Sequence, residues 1–482
     1  MESRLAHALR RGKWVLIIAI VIFTVTQTAR QIRNLHKSTH SHGGTALSDY
    51  LEAGRRAFEG DLYQINYSYP PAFAAAMAPL GSLAPSTAAL IWSILQIAAA
   101  VFSIYLLYRL LTIPRPGDAP CATPVLVTII GGAAAYRFLN NNLIHGNVNS
   151  FVLLAAILGA VDLYQKRDFR AGFWFAAAAT IKFLPLFFGA VLVARRGWRA
   201  LLGMVLSLIL LNGVIPAILL GPARTIEISE QFYQKMIEPF YTKATLGTDP
   251  RNLALSAAIE EHFLEIQPEE RVEPQLAFSL ANTFATFPRF CERPDLLLYH
   301  AGRSYRLAVQ SKRFHYQLAF RFPALSRPEL NLISKLILAG ISFITLVSVF
   351  FLARSGERSR FSILCECSLV MTCLLLVSPK TWTAHYVWLL PAQFALVWYL
   401  LHNATHCGSN RAAARRVLIR GITLIFILAS LILALSSRGV VGPANAAFIR
   451  AASLETAAVL LFWGMLVFAA RQHGARVAAA TP

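Results

Sequence analysis

Apolar runs, many of them of about 18 residues or more and so long enough to cross a bilayer as a helix, recur along the whole chain and alternate with short polar stretches. The runs lie at Trp14–Thr28, Ala88–Leu111, Val125–Leu139, Val148–Tyr164, Ala171–Ala194, Leu201–Leu220, Asn331–Ala353, Phe361–Val377, Val387–Leu401, Val417–Leu435 and Ala452–Ala470. The pattern predicts an all-α, polytopic helical membrane protein of about 11 to 12 membrane segments.

One run departs from the rest. Ala171–Ala194 is long enough for a single span, but Lys166, Arg167 and Arg170 precede it and Arg195, Arg196 and Arg199 follow it. Basic clusters mark cytoplasmic loops, so both ends belong on one side. Lys182 and Pro185 interrupt its middle, and the expected solution is a re-entrant hairpin of two half-length helices with Lys182 at its tip.

Composition agrees with the pattern: 56% of residues are hydrophobic and 14% charged, against about a quarter charged in soluble domains. The net charge of +21 is spread over short clusters between apolar runs. That distribution reports orientation in a membrane and argues against a nucleic-acid partner. Arg4, Arg10, Arg11 and Lys13 put the N-terminus in the cytoplasm, with Trp14–Thr28 retained as a first helix. Following the basic loops through Arg109, Arg115, Arg354, Arg358 and Arg360 to Arg471 and Arg476 places both termini in the cytoplasm. Three regions are expected: an N-terminal membrane module over 1–222 whose first outer loop is 29–87, an outer loop subdomain over 223–329 of short amphipathic helices, and C-terminal membrane helices over 330–482. The six cysteines form no CxxC pair, and no metal-ligand spacing, Walker loop, nucleophile elbow or dinucleotide fingerprint is present.

This orientation brings four unusual polar motifs to one outer side. The first is the loop 46–71, with Asp49 at its entry and Tyr69-Pro70-Pro71 at its end. Asp49, Glu52 and Arg56 share a helix face, so the stretch reads either as a solvated helix held by Asp–Arg and Glu–Arg pairs or as a carrier for a carboxylate base. The second is the amide-rich turn 140–149 with Asn147 and Asn149, read as an ordinary turn or as a ligand contact. The third is the hairpin tip, where Lys182 either snorkels to the surface or meets an anion. The fourth is Ser378–Tyr386, whose Lys380, Trp382 and His385 suit either an aromatic belt or a stacking platform with donors to phosphate.

In order and spacing these motifs resemble those of the multi-pass, polyprenyl-phosphate-mannose-dependent mannosyltransferases of the GT-C type. The matching residues are Asp49-Tyr50, Gly60 through Tyr63, Tyr69-Pro70-Pro71, Gly146 through Asn149, Ala171-Gly172, Lys182 through Pro185, and Ser378-Pro379 with Trp382 and His385. Relatives often carry Asn-Gln-Ser in the large loop, where this chain has Arg251-Asn252-Leu253-Ala254-Leu255-Ser256.

The resemblance implies a GT-C-like fold in a bacterial plasma membrane and an active site on the extracytoplasmic side. It implies inverting, cofactor- and metal-independent transfer of mannose, another hexose or a pentose from a polyprenyl-phosphate sugar to a glycan or glycolipid acceptor. Asp49 takes the position of the general base; Lys182, His385 and Lys380 those of donor-phosphate ligands. Tyr50, Arg56, Tyr69, Asn147, Asn149 and Trp382 are the expected substrate contacts. A transporter or flippase of lipid-linked saccharides is the alternative, since it too uses broken helices and buried cations. Transporters commonly repeat the break in two halves, and here it falls once.

Overall fold

The computed structural model describes residues 22–33, 45–58, 62–65, 67–112, 123–238, 252–263, 297–300, 303–306, 325–354, 358–405, 412–437, 440–441, 446, 449–450 and 452–480. The N-terminal basic cluster, most of the first apolar run, Gly60, the linker with Arg115, Arg251, Cys121, Cys291 and Cys407 lie outside them.

Among the described residues seven helices are long and apolar enough to cross a membrane. Among them, α13 (Arg360–Val377) and the helix begun by the 3-10 turn Thr383–Leu389 and continued as α14 (Leu390–Thr405) are the most enclosed, with 89% and 83% of their apolar windows buried. Three others form the outer ring, 22% to 28% buried: α9 (Trp198–Leu220), α12 (Arg327–Arg354) and α15 (Ala412–Leu435). Their outward faces carry large apolar side chains such as Ile218, Leu336 and Leu424, which suits contact with lipid. The remaining two are α4 (Pro85–Thr112) and α16 (Leu454–Ala480).

The expected count of segments exceeds seven for identifiable reasons. The first helix, α1, is described only over 22–33. Helix α5 (Thr123–Ile144) carries Arg137 and ends in Asn140-Asn141-Asn142, which lowers its apolarity, and α6 (Asn149–Tyr164) has 16 residues. The run 171–194 divides as expected. Helix α7 (Asp168–Ile181) stops four residues before Pro185, where the proline ring would meet the Ile181 carbonyl. A 3-10 turn over Leu184–Leu186 follows, and α8 (Phe187–Ala194) completes the piece.

Both ends of this piece return to the beginning of α13. Asp168, at the start of α7, accepts two hydrogen bonds from Arg358 (2.6 and 3.2 Å), and Arg195, just past α8, pairs with Glu366. The hairpin is therefore closed at its base by charges and open at its Lys182 tip.

The outer parts form a second, smaller core. Helices α2 (Ala46–Arg56) and α3 (Pro71–Gly81) pack on one another and on Trp92 and Val148 through Leu47, Tyr50, Tyr67, Phe73 and Met77. After α9, α10 (Pro222–Phe232) lays Phe232 against this cluster, and α11 (Leu255–Phe263) packs on α12 and α13.

One feature departs from the all-α expectation. Leu297–His300 and Arg303–Arg306 pair as an antiparallel ribbon in register Leu297 with Arg306 and His300 with Arg303. Ala301 and Gly302 separate the strands, and a glycine in a two-residue connection favours a hairpin over the amphipathic helix expected there.

Helices α2 and α3 cross where Gly54 meets the Met77 backbone, and a Cβ on Gly54 would lie 2.6 Å from the Met77 carbonyl carbon. Gly54→Ala is expected to lower stability by about 1–3 kcal/mol through overpacking. Gly132→Ala, where nothing lies within 4 Å, should leave the thermal midpoint unchanged or raise it. Thermal unfolding of the two variants in the same detergent checks the contrast.

Candidate functional site

Thr45 caps α2 by accepting the Ser48 N–H at 3.3 Å, and its first turn presents Asp49. Arg55 and Arg56 lie about two turns on, one turn past Glu52, and both pair with Glu52, at 3.5 and 2.6 Å, while Arg55 also donates to the Gly81 carbonyl at 2.8 Å. The anticipated Asp–Arg pair is not made. Asp49 is left half-buried, with no cation among the described residues within ion-pair distance, and burial pushes its carboxyl up to about 6 from 3.8.

Behind Asp49 stands a chain of hydroxyls. The Val148 N–H donates to the Tyr50 oxygen at 3.4 Å, and the Tyr50 O–H donates to the Tyr69 oxygen at 2.8 Å. Tyr50 itself is 1% exposed and packs edge-on against Tyr69, Phe73 and Trp92, which makes it a support for Tyr69. The backbone around Tyr69 is fixed by Tyr63, which donates to its carbonyl at 2.9 Å, and by Tyr67, which donates to the Pro70 carbonyl at 3.1 Å. Burial pushes the Tyr69 phenol up to about 12; the Tyr50 hydrogen bond opposes the rise and the Asp49 charge adds to it. Tyr69 thus stays protonated and has a proton to donate onward.

On its other side Tyr69 meets the hairpin tip. Lys182, just past the end of α7, has extended backbone angles (φ −137°, ψ 135°). Its ammonium lies 5.6 Å from the Tyr69 ring centre and 5.2 Å from that of Trp388, between two aromatic faces. It contacts His385 Nε2 at 2.5 Å. The other ring nitrogen, Nδ1, accepts the Trp382 backbone N–H at 2.9 Å, so in the neutral imidazole the proton sits on Nε2. An ammonium and an Nε2–H are both donors. Either the lysine yields a proton or an anion placed against both satisfies them. Among the described residues no carboxylate is within ion-pair distance of Lys182.

The 3-10 helix carrying His385 is stitched to α6. Asn149 donates to the Ala384 carbonyl at 3.1 Å, and Trp388 donates to the Asn149 carbonyl at 3.3 Å. Asn149 is fully buried, and Asn147 is 5% exposed, so the structure places both as framework of the turn. Lys380 is exposed, with its ammonium 5.2 Å from the ring centre of the half-buried Trp382. Arg56 lies on the outer face of α2 with Glu52. The structure therefore brings Asp49, Tyr69, Lys182 and His385 together, with Lys380 and Trp382 on the adjoining loop and Tyr50, Asn147 and Asn149 behind. Among the described residues no three His, Cys, Asp or Glu side chains converge as metal ligands.

Three supporting groups escaped the sequence reading. Gln31 of α1 donates to the Leu143 carbonyl at 2.5 Å and accepts from Ser93, while Gln96 donates to the Asn147 carbonyl at 2.5 Å. These buried amides hold the non-helical turn 145–148, and glutamines in apolar runs were the available signal. Asn252 clasps the 378–382 loop, donating to the Pro379 carbonyl and accepting the Thr381 N–H, both at 2.9 Å. Glu455 gathers Arg137 (3.1 Å) and Arg450 (3.6 Å), and Arg450 reaches Thr383 at 3.4 Å. Arg137 within an apolar run carried the same signal as Lys182.

Comparison with known proteins gives one match. Residues 67–256 match the family model of glycosyltransferase family 87, which supports a membrane glycosyltransferase. The matched stretch is less than half of the chain; it contains Tyr69, Asn147, Asn149, Lys182 and Asn252 and leaves out Asp49 and His385. No curated protein and no solved structure matches the chain.

The raised Asp49 carboxyl has a measurable cost. Its folded value of about 6 exceeds the 3.8 of an ordinary aspartate, so the folded state favours the protonated form and stability falls as pH rises from about 4 to about 6. Asp49→Asn removes that charge and is expected to be more stable than the parent above about pH 7, by on the order of 1 kcal/mol after solvent screening. The difference should vanish near pH 4. Unfolding of both proteins across this range checks it.

Proposed function

We propose that the chain is an inverting glycosyltransferase that moves a sugar from a polyprenyl-phosphate donor to a hydroxyl of a glycan or glycolipid. The observation that carries this reading is the arrangement of two opposites: a carboxylate, Asp49, that meets no cation among the described residues, and two converging donors, Lys182 and His385, with Tyr69 between them. A base for a hydroxyl and a receptor for a phosphate are the two things this transfer needs. The reading is supported further by the family match, which names glycosyl transfer, and by the ordered motifs of the sequence.

In the proposed reaction Asp49 takes the proton of the acceptor hydroxyl as its oxygen attacks the anomeric carbon. The carbon–oxygen bond to the lipid phosphate breaks, and polyprenyl phosphate leaves with the electron pair. Lys182 and His385 receive the negative charge that grows on the departing phosphate, in a site where aromatic walls exclude water and strengthen the attraction. Asp49 then returns its proton to solvent. A carboxyl near 6 is a better base than an ordinary aspartate and is still mostly ionised at pH 7. Lys380 and Trp382, on the exposed rim, are placed to guide the lipid phosphate and to stack on a sugar ring. The distribution of basic loops supports a site facing away from the cytoplasm, and the resemblance supports a bacterial plasma membrane.

Purified protein supplied with a panel of polyprenyl-phosphate sugars and acceptors is expected to release polyprenyl phosphate, with a rate that falls below about pH 6. Asp49→Asn, normally folded, should lose roughly 100-fold or more of that release, and Lys182→Gln about 100-fold. Wild-type turnover by Asp49→Asn would remove Asp49 as base. Release from no donor by the parent protein would remove the reaction itself.

A further inference from the structure

The end of the helices away from Asp49 and Lys182 carries a second charged feature that the proposed reaction does not use. Helices α6 and α8 end in the same way. After α6, Gln165 N–H donates to Val161, Lys166 N–H to Leu163 and Arg167 N–H to Asp162; after α8, Arg195 N–H donates to Val191, Arg196 N–H to Val193 and Gly197 N–H to Leu192. Both corners turn through a left-handed residue, Lys166 at φ 61° and Arg196 at φ 55°, in the position where helices favour glycine. Among the described residues only Ser453 is a further non-glycine with positive φ.

The two corners lie side by side. Helices α7 and α9, which they begin, run parallel and nearly touch. A Cβ on Gly172 would lie 2.1 Å from the Ala200 carbonyl oxygen, and farther along Asn212 donates to Thr180 at 2.8 Å. This register sets Lys166 level with Arg196 on adjacent helices. Next to them Phe169 and Trp198 are 51% and 61% exposed, and Arg199 is exposed. Asp162 takes Arg167 at 3.9 Å and Arg170 at 3.4 Å, and Asp168 is held by Arg358. Among the described residues no acid pairs with Lys166, Arg196 or Arg199.

Three unpaired cations flanked by two exposed aromatic rings at the end of membrane helices match a charged lipid surface. The rings suit the boundary between headgroups and acyl chains, and the cations suit the phosphates above it. A merely solvated corner would gain from glycine at the left-handed position. We propose that the paired corners at Lys166 and Arg196, with Arg199, Phe169 and Trp198, form a binding site for the headgroups of anionic phospholipids.

The test uses the full chain in detergent micelles titrated with phosphatidylglycerol, phosphatidylcholine as the control, and bound lipid counted by native mass spectrometry. Phosphatidylglycerol is expected to bind in preference. The double variant Lys166→Gly/Arg196→Gly relieves both left-handed residues, so it should fold with an equal or higher thermal midpoint. It should nevertheless bind phosphatidylglycerol about 25-fold more weakly, at about fivefold per charge. Arg199→Gln, outside both turns, should weaken binding about fivefold, and Lys166→Arg/Arg196→Lys should keep it. Equal binding of the two lipids, or unchanged binding by both the glycine double variant and Arg199→Gln, would overturn the site. Full displacement by millimolar inorganic phosphate would assign it to a free anion and overturn the lipid reading.

Discussion

The half of this protein that carries Tyr69 and His385 depends on where one ammonium group is held. Lys182 sits past the end of a helix that Pro185 brings to a stop, and the extended backbone there turns its side chain toward His385, 2.5 Å away. An uninterrupted helix over 171–194 would have carried the lysine around the cylinder with its neighbours and left no reason for His385 to approach. The break instead converts an apolar span into a cup with a cation at its lip. Tyr69 and Trp388 make the position tolerable by offering ring faces where a carboxylate would otherwise be needed. Their contribution also keeps the charge unspent, because a ring face attracts a cation without neutralising it.

Holding irregular backbone at this depth requires that its polar groups be satisfied from inside the protein. The turn 145–148 meets the requirement through side chains brought from far away in sequence: Trp92 donates to the Gly146 carbonyl at 2.8 Å, Gln96 to Asn147, and Tyr50 accepts from Val148. The last of these bonds does two jobs, since the same Tyr50 hydroxyl goes on to orient Tyr69. Backbone satisfaction and site geometry are thus parts of one network, and donors and acceptors in such a chain polarise one another. The Asn252 clasp does for the Ser378–Trp382 loop what the amides do for the turn, and it comes from a segment well over a hundred residues upstream.

Much of this was legible from residue order. The helix break at Lys182 followed from basic residues on both flanks and a proline inside, both of which are local facts. Lys182 stood out as a charge inside an apolar run, whereas Asp49, in a charged loop, and His385 were singled out by the motifs shared with the resembling family. The partners were not legible. Glu52 lies one turn from both Arg55 and Arg56, whereas Asp49 lies about two turns from them, and the Gly81 carbonyl brought by α3 fixes Arg55 further. Gln27, Gln31 and Gln96 lie within or beside apolar runs and look like tolerated exceptions until the helices are assembled, when they prove to be 0% or 1% exposed and bonded across the bundle. The ribbon at 297–306 was missed for a simpler reason: its strands are four residues each, too short for periodicity to register.

Charges in apolar surroundings sort here into two kinds, and the sorting bears on what the protein does. Arg195 with Glu366, Arg358 with Asp168, and Arg137 with Glu455 are each paired across different helices, and each pair ties one end of the bundle together. A pair of this sort spends both desolvation penalties on a single contact and keeps nothing in reserve for a ligand. Asp49 and Lys182 are treated differently: among the described residues neither meets an opposite charge, and Arg55 and Arg56 stand about two turns along α2 from Asp49, beyond the reach of an i,i+4 pair. Asp49 is left carrying a burial penalty that a proton relieves. Among the described residues Asp49 and Lys182 thus keep their charges unmatched on the two sides of Tyr69, whose phenol stays protonated.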